Sequence, residues 1–542
     1  KKKIELDAEI ERSITPETQT RRRRAATEEQ TSHPTSSAEY IITEIKRHRR
    51  GLLIATMAIV LASVAGIIFY LNSARTSAGA GRAAIDSIAV LPLANVTNDP
   101  NLEYLSDGIS ESLINSLTEL QQLRVIARST AFRYKGRDAD PQAVGRELNV
   151  RAVLTGRVRQ VGDRLNIQVD LVDAQTGAQL WGQEYERKAS DLLSVKQAIA
   201  REVTDRLRLR LSGEEQKQLA KLDTTNSESF QFYLKGRYYW NKRTADGLRK
   251  AIEQFQQAID LDPNYALGYV GLADSYAVLE EYAGTPASET LPKARAAVDR
   301  ALQIDDSLAE AHASSGLIYN GQWRWAEAQA EYKRAISLNP NYASAHQWYS
   351  QYFRIRRQFD ETLREVKRAQ ELDPLSPIIS MNVAAVDLLT NDLNSAINEC
   401  NRIIELDPSF PRSYDLLGQI YLKQQRYGEA TAEFQKAVEL SGRSSESLSD
   451  LGYCYAVTGK RNDALQILKE LEDKYAKRES VGLYLAGVHA GLGDRDSAFQ
   501  WLEKDFVQRS GQLQRITWWF SFDDLRSDPR YADLLRRMGL TP

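Results

Sequence analysis

From residue 306 to residue 476 the chain repeats every 34 residues, marked at the unit ends by Asp306, Pro340, Pro374, Pro408, Gly442 and Ala476. Pro263 stands 43 residues before Asp306, so a nine-residue insertion falls in that unit, around residues 280–292. A unit of this length is one supersecondary element, and it buries its apolar face only against its neighbours. A small residue recurs in the first half of each unit at Ala273, Gly316, Ser350, Ala384, Gly418, Gly452 and Ala486. Another recurs in the second half at Ala251, Ala294, Ala328, Thr362, Ala396, Ala430, Ala464 and Ala498. Small residues let two helices cross closely, and the proline-bearing ends stop the second helix. A bulky residue, Tyr276, Tyr319, Phe353, Tyr421 or Tyr455, follows the first small site. About eight helix-turn-helix units are expected over residues 225–505, stacked into a superhelix with a concave groove.

This pattern, with LDPNYA at residues 261–266 and LNPNYA at 338–343, resembles the tetratricopeptide family. The resemblance implies a groove that takes a protein or peptide ligand. Candidate groove residues on the first helices are Tyr233, Tyr238, Tyr239, Trp240, Tyr269, His312, His346 and Trp348. The same side chains suit packing between units, which is the reading given more weight. His312 and His346 share one repeat position, 34 apart, and read as a packing or groove position more readily than as a metal pair. Cys400 and Cys454 fall at packing positions two units apart and read as small buried hydrophobes, not as a disulfide.

Residues 51–71, GLLIATMAIVLASVAGIIFYL, hold no Asp, Glu, Lys, Arg, Asn or Gln. About twenty such residues span the ~30 Å hydrocarbon core of a bilayer. KRHRR precedes the run, so the N-terminal side is expected inside and residues 72–542 outside. The expected location is the inner (cytoplasmic) membrane, single-pass, with the larger part periplasmic where an outer membrane exists. Residues 1–50 read as a cytoplasmic juxtamembrane tail and linker, and residues 72–84 as a small-residue linker. Ala62, Ser63, Ala65 and Gly66 would permit close helix approach and a homodimer. The chain begins Lys-Lys-Lys without Met, so it is expected to be the C-terminal part of a longer protein.

Between linker and repeats, apolar periodicity gives strand 85–96, helix 104–120, strand 123–128, helix 141–148, strands 151–161, 164–174 and 178–188, and helix 192–211. This order predicts a small α+β domain, a three-stranded meander with helices on one face. The runs IAVLPLANVTNDPNLEYLSDGISESLINSL and LNVRAVLTGRVRQVGDRLNIQVDLVDAQTGAQLWGQEYER resemble the TolB amino-terminal-like (FlgO-like) domain over about residues 85–212. That resemblance implies a non-enzymatic domain for protein contact. Asp107, Gly108, Arg128, Trp181 and Tyr185 stand out and read as a helix start, a turn and packed aromatics. Residues 506–542, with Trp518, Trp519, Phe520 and Phe522, are expected to cap the last repeat.

The fold class is therefore mostly α: a single transmembrane helix, a small α+β domain, then an α-solenoid. The chain carries no Gly-x4-Gly-Lys-Ser/Thr, His-Glu-x2-His, Gly-x-Ser-x-Gly, His-Arg-Asp, Asp-Phe-Gly or Cys-x2-Cys. No catalytic, cofactor or metal residue is assigned, and a net charge of −2 gives no sign of nucleic-acid binding. The layout resembles the C-terminal part of bacterial membrane-anchored signalling proteins. The resemblance implies a sensory region relaying to an N-terminal cytoplasmic output domain. A Ser/Thr protein kinase is favoured, on the likeness of residues 1–17 to the helix trailing such a domain. ATP and Mg would then enter only with that kinase domain. The alternatives are a membrane-anchored winged-helix transcription regulator and an envelope assembly scaffold without an output domain.

Overall fold

The computed structural model describes residues 85–541, apart from 98, 100, 101, 210 and 221–223. The expected tail, span and linker over residues 1–84 lie outside the described residues. Among the described residues no helix is long and apolar enough to cross a membrane.

The sheet domain opens with β1 (Ser87–Val90) and the two-residue β2 (Ala94–Asn95), then α1 (Glu103–Thr118), β3 (Arg124–Val125), α2 (Arg128–Ala131) and α3 (Pro141–Glu147). The hairpin strands β4 (Ala152–Val161), β5 (Arg164–Asp173) and β6 (Gln179–Lys188) follow, closed by α4 (Leu192–Leu207). The strand order is β3-β1-β4-β5-β6, with β2 also on β4. The meander is thus extended by parallel strands: β1 pairs parallel with both β3 and β4. The reason lies in β1, where Ile88, Ala89 and Val90 are all wholly buried. A continuous apolar run covered on both faces is the signature of a central parallel strand. β5 alternates instead, burying Leu165, Ile167, Val169 and Leu171 on one face. Asp107 and Gly108 lie inside α1, not at its start or in a turn. Gly108 is needed there because a Cβ would come within 2.8 Å of Leu234.

After α5 (Gly213–Ala220), eight helix pairs follow among the described residues: α6/α7 (Ser227–Trp240, Ala245–Leu261), α8/α9 (Ala266–Ala283, Ala287–Ile304), α10/α11 (Ala309–Gly321, Trp325–Leu338) and α12/α13 (Ala343–Ile355, Phe359–Leu372). The last four are α14/α15 (Pro377–Leu389, Leu393–Leu406), α16/α17 (Pro411–Lys423, Tyr427–Leu440), α18/α19 (Ser445–Val457, Arg461–Ala476) and α20/α21 (Gly482–Gly491, Arg495–Val507). The small residues of the second helices, from Ala251 to Ala498, are all buried. Against them sits a buried column, mostly of larger residues, that spacing singled out only at Cys400: Phe255, Val298, Tyr332, Val366, Cys400, Phe434, Leu468 and Leu502. A Cβ on Gly316 would meet the Tyr332 ring at 2.7 Å, and one on Gly418 the Phe434 ring at 2.7 Å. Helix crossing and ring packing are therefore set by one pair of positions.

The turn inside each pair carries a left-handed residue: Arg243, Gly284, Trp323, Arg357, Asn391, Gln425, Gly459 and Gly493 all have positive φ. The nine-residue insertion does not form a loop. It lengthens both helices of its pair, so α8 and α9 each have 18 residues where α10 has 13 and α11 has 14. Pro292 accordingly lies within α9.

The sheet domain is seated on the solenoid. The Asn341 amide donates to the carbonyls of Leu120, Gln121 and Leu123, and Ala127 N–H donates to Leu372 O at 2.9 Å. Thr130 N–H donates to Asp373 Oδ1 at 2.9 Å, and Leu375 N–H to Thr130 Oγ1 at 2.7 Å. The segment after α1 thus runs along the turns between successive pairs and satisfies their polar groups.

Candidate functional site

The first helices of the pairs line the concave face, and two other parts of the chain close it. One is the lengthened α8/α9 pair. A Cβ on Gly284, at its turn, would come within 2.6 Å of the Glu479 backbone. Arg478 Nη1 pairs with Glu289 Oε1 at 2.9 Å, and Arg412 pairs with Glu281. The other is the C-terminal segment, with 3-10 turns at Gly511–Thr517 and Phe520–Leu525 followed by α22 (Pro529–Arg537). Besides covering α20, it crosses the concave face to the opposite side. Gly511 N–H donates to Glu280 Oε2 at 3.0 Å, and Trp519 Nε1 donates to Asp450 Oδ1 at 3.0 Å. Arg515 Nη1 pairs with Glu446 Oε1 at 3.1 Å, Arg357 Nη1 donates to Thr517 O at 2.8 Å, and Trp325 Nε1 donates to Met538 O at 2.8 Å. The Arg354 guanidinium lies 4.2 Å from the Trp518 ring centroid.

The candidate aromatics sit largely in the packing of this wall. Tyr233, Trp240, His346 and Trp348 are buried; Tyr238, Tyr239, Tyr269 and His312 are half-buried. Tyr233 meets the rings of Phe255 at 5.8 Å and Tyr265 at 5.2 Å. Arg237 and Arg243 cover the Trp240 ring at 4.3 and 3.6 Å, and Lys242 lies over Tyr238 and Tyr239. Each histidine is held within its own repeat. His312 Nδ1 meets Glu331 Oε2 at 2.6 Å and its Nε2 meets Asp306 O at 2.9 Å. His346 does the same with Glu365 at 2.7 Å and Pro340 O at 3.1 Å. Both ring nitrogens are engaged in each case, so the 34-residue spacing is a repeated staple between two helices. Cys400 and Cys454 are free and buried.

Sequence reasoning missed the polar centre of the concave face. A cavity of about 160 Å³ is walled by Glu280, Glu281, Arg354, Asn382, Arg412, Asp415, Glu446, Arg515 and Trp518, with Gln351 and Gln419. Burial works against the Glu446 carboxylate, but the Arg412 and Arg515 guanidiniums override it and hold its pKa at about 2. Burial pushes the Asp415 carboxyl upward, with Glu446 nearby adding to the shift. Burial likewise lifts Glu280 to about 8. Arg354 is lowered to about 9 by burial and by the neighbouring Arg515 and Arg412. The signal was present in the period: Asn382 and Asp450 occupy the repeat position of Trp348, at one and three spacings of 34.

The helix pairs, their 34-residue spacing and the small-residue crossings decide the repeat type. Residues 411–444 match the tetratricopeptide repeat model. Residues 84–202 match the model described as HilA/YgeH-like transcriptional regulator, second domain, a different description from the TolB-like resemblance drawn from the same strands. Over 248 residues the chain is 30% identical to a "Putative adenylate cyclase 3" of Rhizobium meliloti strain 1021, covering 45% of this chain. The chain spans 42% of that protein's length. Among solved structures it is similar to Pseudomonas aeruginosa PilF, at 19% identity and a TM-score of 0.32, over 40% of this chain and 93% of PilF. It is similar to the type IV pilus biogenesis factor PilW at 17% and 0.32, over 38% and 94%. It is similar to the human IFIT1 dimer with PPP-AAAA at 15% and 0.42, over 59% and 83%.

Proposed function

We propose that the described unit is the protein-binding, sensory region of a bacterial signalling protein, and that its concave face takes a short polypeptide segment of a partner. One observation carries this reading. Residues 511–525 already lie on that face, held by a tryptophan on Asp450 and an arginine on Glu446. The face therefore has the chemistry to hold an aromatic, basic segment, and the chain's own segment is the occupant a partner would replace. A wall of first helices with polar groups at fixed spacing is how repeat solenoids present extended binding surfaces.

In the same proposal, residues 51–71 cross the inner membrane once, residues 72–542 are outside, and the occupied state reaches an output domain through a homodimer. The unit itself needs no cofactor; ATP and Mg belong to a kinase output. The name of the matched family favours the transcription-regulator alternative, and the name of the matched relative adds one further output to the kinase and scaffold readings, an adenylate cyclase.

The test uses a fluorescent peptide of residues 511–525 and the full chain carrying Trp519→Ala, which loosens the resident segment. Saturable binding to this variant, weaker binding to the wild-type chain, and loss with both peptide tryptophans changed to alanine are expected. No binding to either chain would overturn the partner reading. Protease protection in spheroplasts tests topology: digestion of the repeats from outside is expected, and full protection overturns the outward placement.

A further inference from the structure

Buried polar groups in folded proteins nearly always have partners, because each orphan carries a desolvation penalty. On the wall of the concave cavity they accumulate instead. Thr290 Oγ1, Asn320 Oδ1, Arg354 Nε, Asn382 Nδ2 and Asp415 Oδ1 are all buried without a hydrogen-bond partner among the described residues. They come from five different helices, α9, α10, α12, α14 and α16, yet converge on one space.

Arg354 is the most telling. It is only 8% exposed. Its Nη1 donates to Asn382 Oδ1 at 3.2 Å, and Trp518 covers its face. No carboxylate among the described residues forms an ion pair with it, whereas Arg412 pairs with Glu281 and Glu446 and Arg515 pairs with Glu446. Two carboxylates thus serve two of the three guanidiniums. The other acids on the wall, Glu280 and Asp415, are pushed upward by burial, which favours their neutral forms. The cavity therefore presents one uncompensated positive charge, beside an unused amide N–H of Asn382 and the unpartnered carboxyl oxygen of Asp415.

We propose that this cavity is a binding site for a small free carboxylate, whose oxygens take the Arg354 fork and the Asn382 amide. A guanidinium matches a carboxylate in two parallel hydrogen bonds. One excess charge matches a monoanion. The volume of about 160 Å³ is well above the ~10–15 Å³ that one water needs, so the cavity has room for a small organic anion. The seated C-terminal segment supplies part of the wall through Arg515 and Trp518, so the site does not depend on a partner peptide.

Isothermal titration of the full chain with acetate, lactate and pyruvate tests this, with inorganic phosphate and tetra-alanine as comparisons. Saturable one-site binding of at least one of the three carboxylates is expected. Arg354→Met should weaken it at least tenfold, and Asn382→Ala several-fold. Arg354→Met should also raise the melting temperature of the unliganded chain, because it removes a buried unpaired charge; an arginine with a merely structural role would lower it. If Arg354→Met does not fold, Arg354→Lys keeps the charge without the fork and should still weaken binding about tenfold. No saturable binding of any of the three carboxylates overturns the proposal, as does unchanged affinity in the Arg354 variant. Binding of tetra-alanine alone overturns it in favour of a peptide-terminus pocket. Failure of the peptide of residues 511–525 to bind leaves this site standing, since it is formed with the resident segment in place.

Discussion

The carboxylate of Glu111 in α1 meets the guanidinium of Arg237 in α6 at 2.7 Å, joining the sheet domain to the first helix of the solenoid. Arg128 Nε reaches the same carboxylate at 2.8 Å, and Asn241 Nδ2 donates to it at 2.9 Å. Burial opposes the charge on Glu111, but Arg237 and Arg128 more than offset it and hold the pKa below the ordinary value. Breaking a buried pair by removing one partner costs about 3–5 kcal/mol, since the other charge is left uncompensated. Glu111→Gln should therefore lower the urea midpoint markedly, and Glu111→Gln with Arg237→Met should recover part of the loss. Because the folded value is depressed, this contribution is full above the unfolded value of 4.5 and is lost as pH falls through the folded one. Equal stability of wild type and Glu111→Gln near neutral pH would remove the pair as a domain clamp.

Glu280 gives the opposite pH dependence. Glu280 is 8% exposed at the junction of the lengthened pair and the C-terminal segment, and burial lifts its carboxyl from 4.5 to about 8. The folded state holds the proton where the unfolded state does not. The stabilisation is then full below 4.5 and is lost as pH rises towards about 8, at most ~1.4 kcal/mol per pH unit. Denaturation midpoints should fall between pH 5.5 and pH 8 in the wild-type chain, and Glu280→Gln should flatten that slope. A slope unchanged in the variant assigns the effect elsewhere.

The solenoid and the small sheet domain were legible in the sequence because each rests on local periodicity. Spacing of 34 placed the helix crossings, and alternation placed β4 to β6. What escaped was set by contacts distant in sequence. β1 is buried on both faces, so it pairs in parallel where the linear order shows only an isolated strand. The insertion shows its role only once Gly284 meets Glu479, and the C-terminal aromatics only once Trp519 meets Asp450. Conspicuous aromatics such as Tyr233 and Trp348 drew attention to packing positions. The cavity wall is built of polar residues that differ from unit to unit, which a search for repetition passes over.

The left-handed column gives a clean test of backbone strain. Gln425 has φ of 62° at the turn of the α16/α17 pair, where Gly459 and Gly493 stand one and two units later. Its side chain is exposed. A side chain in this conformation costs roughly 1–2 kcal/mol, part of which glycine returns as chain entropy on folding. Gln425→Gly should raise stability by about 0.5–1 kcal/mol, read from the urea midpoint at constant slope. Gln425→Val, branched at Cβ, should lower it. The reverse order would mean that the turn is held by side-chain contacts and not by its dihedral angles.

Trp519 decides whether the C-terminal segment is fixed on the concave face. It is 2% exposed, donates to Asp450, and meets Tyr484 edge-on at 5.6 Å and Phe522 at 6.3 Å. Truncating a buried aromatic costs about 3–5 kcal/mol, and here the loss also leaves the Asp450 carboxyl without its indole donor. The ring shares one core cluster with Phe434, Leu451 and Tyr484 of the repeats, so the loss falls on the last pairs as well as on the seating of the segment. Trp519→Ala should expose residues 511–525 to limited proteolysis and speed amide exchange there, with the helix content of the repeats kept. Trp518→Ala, which removes the cover of Arg354, should free the segment less, since Trp518 is half-buried. If both variants melt with the whole solenoid in one step, the segment is an inseparable part of the repeat core and not an occupant that a partner could replace.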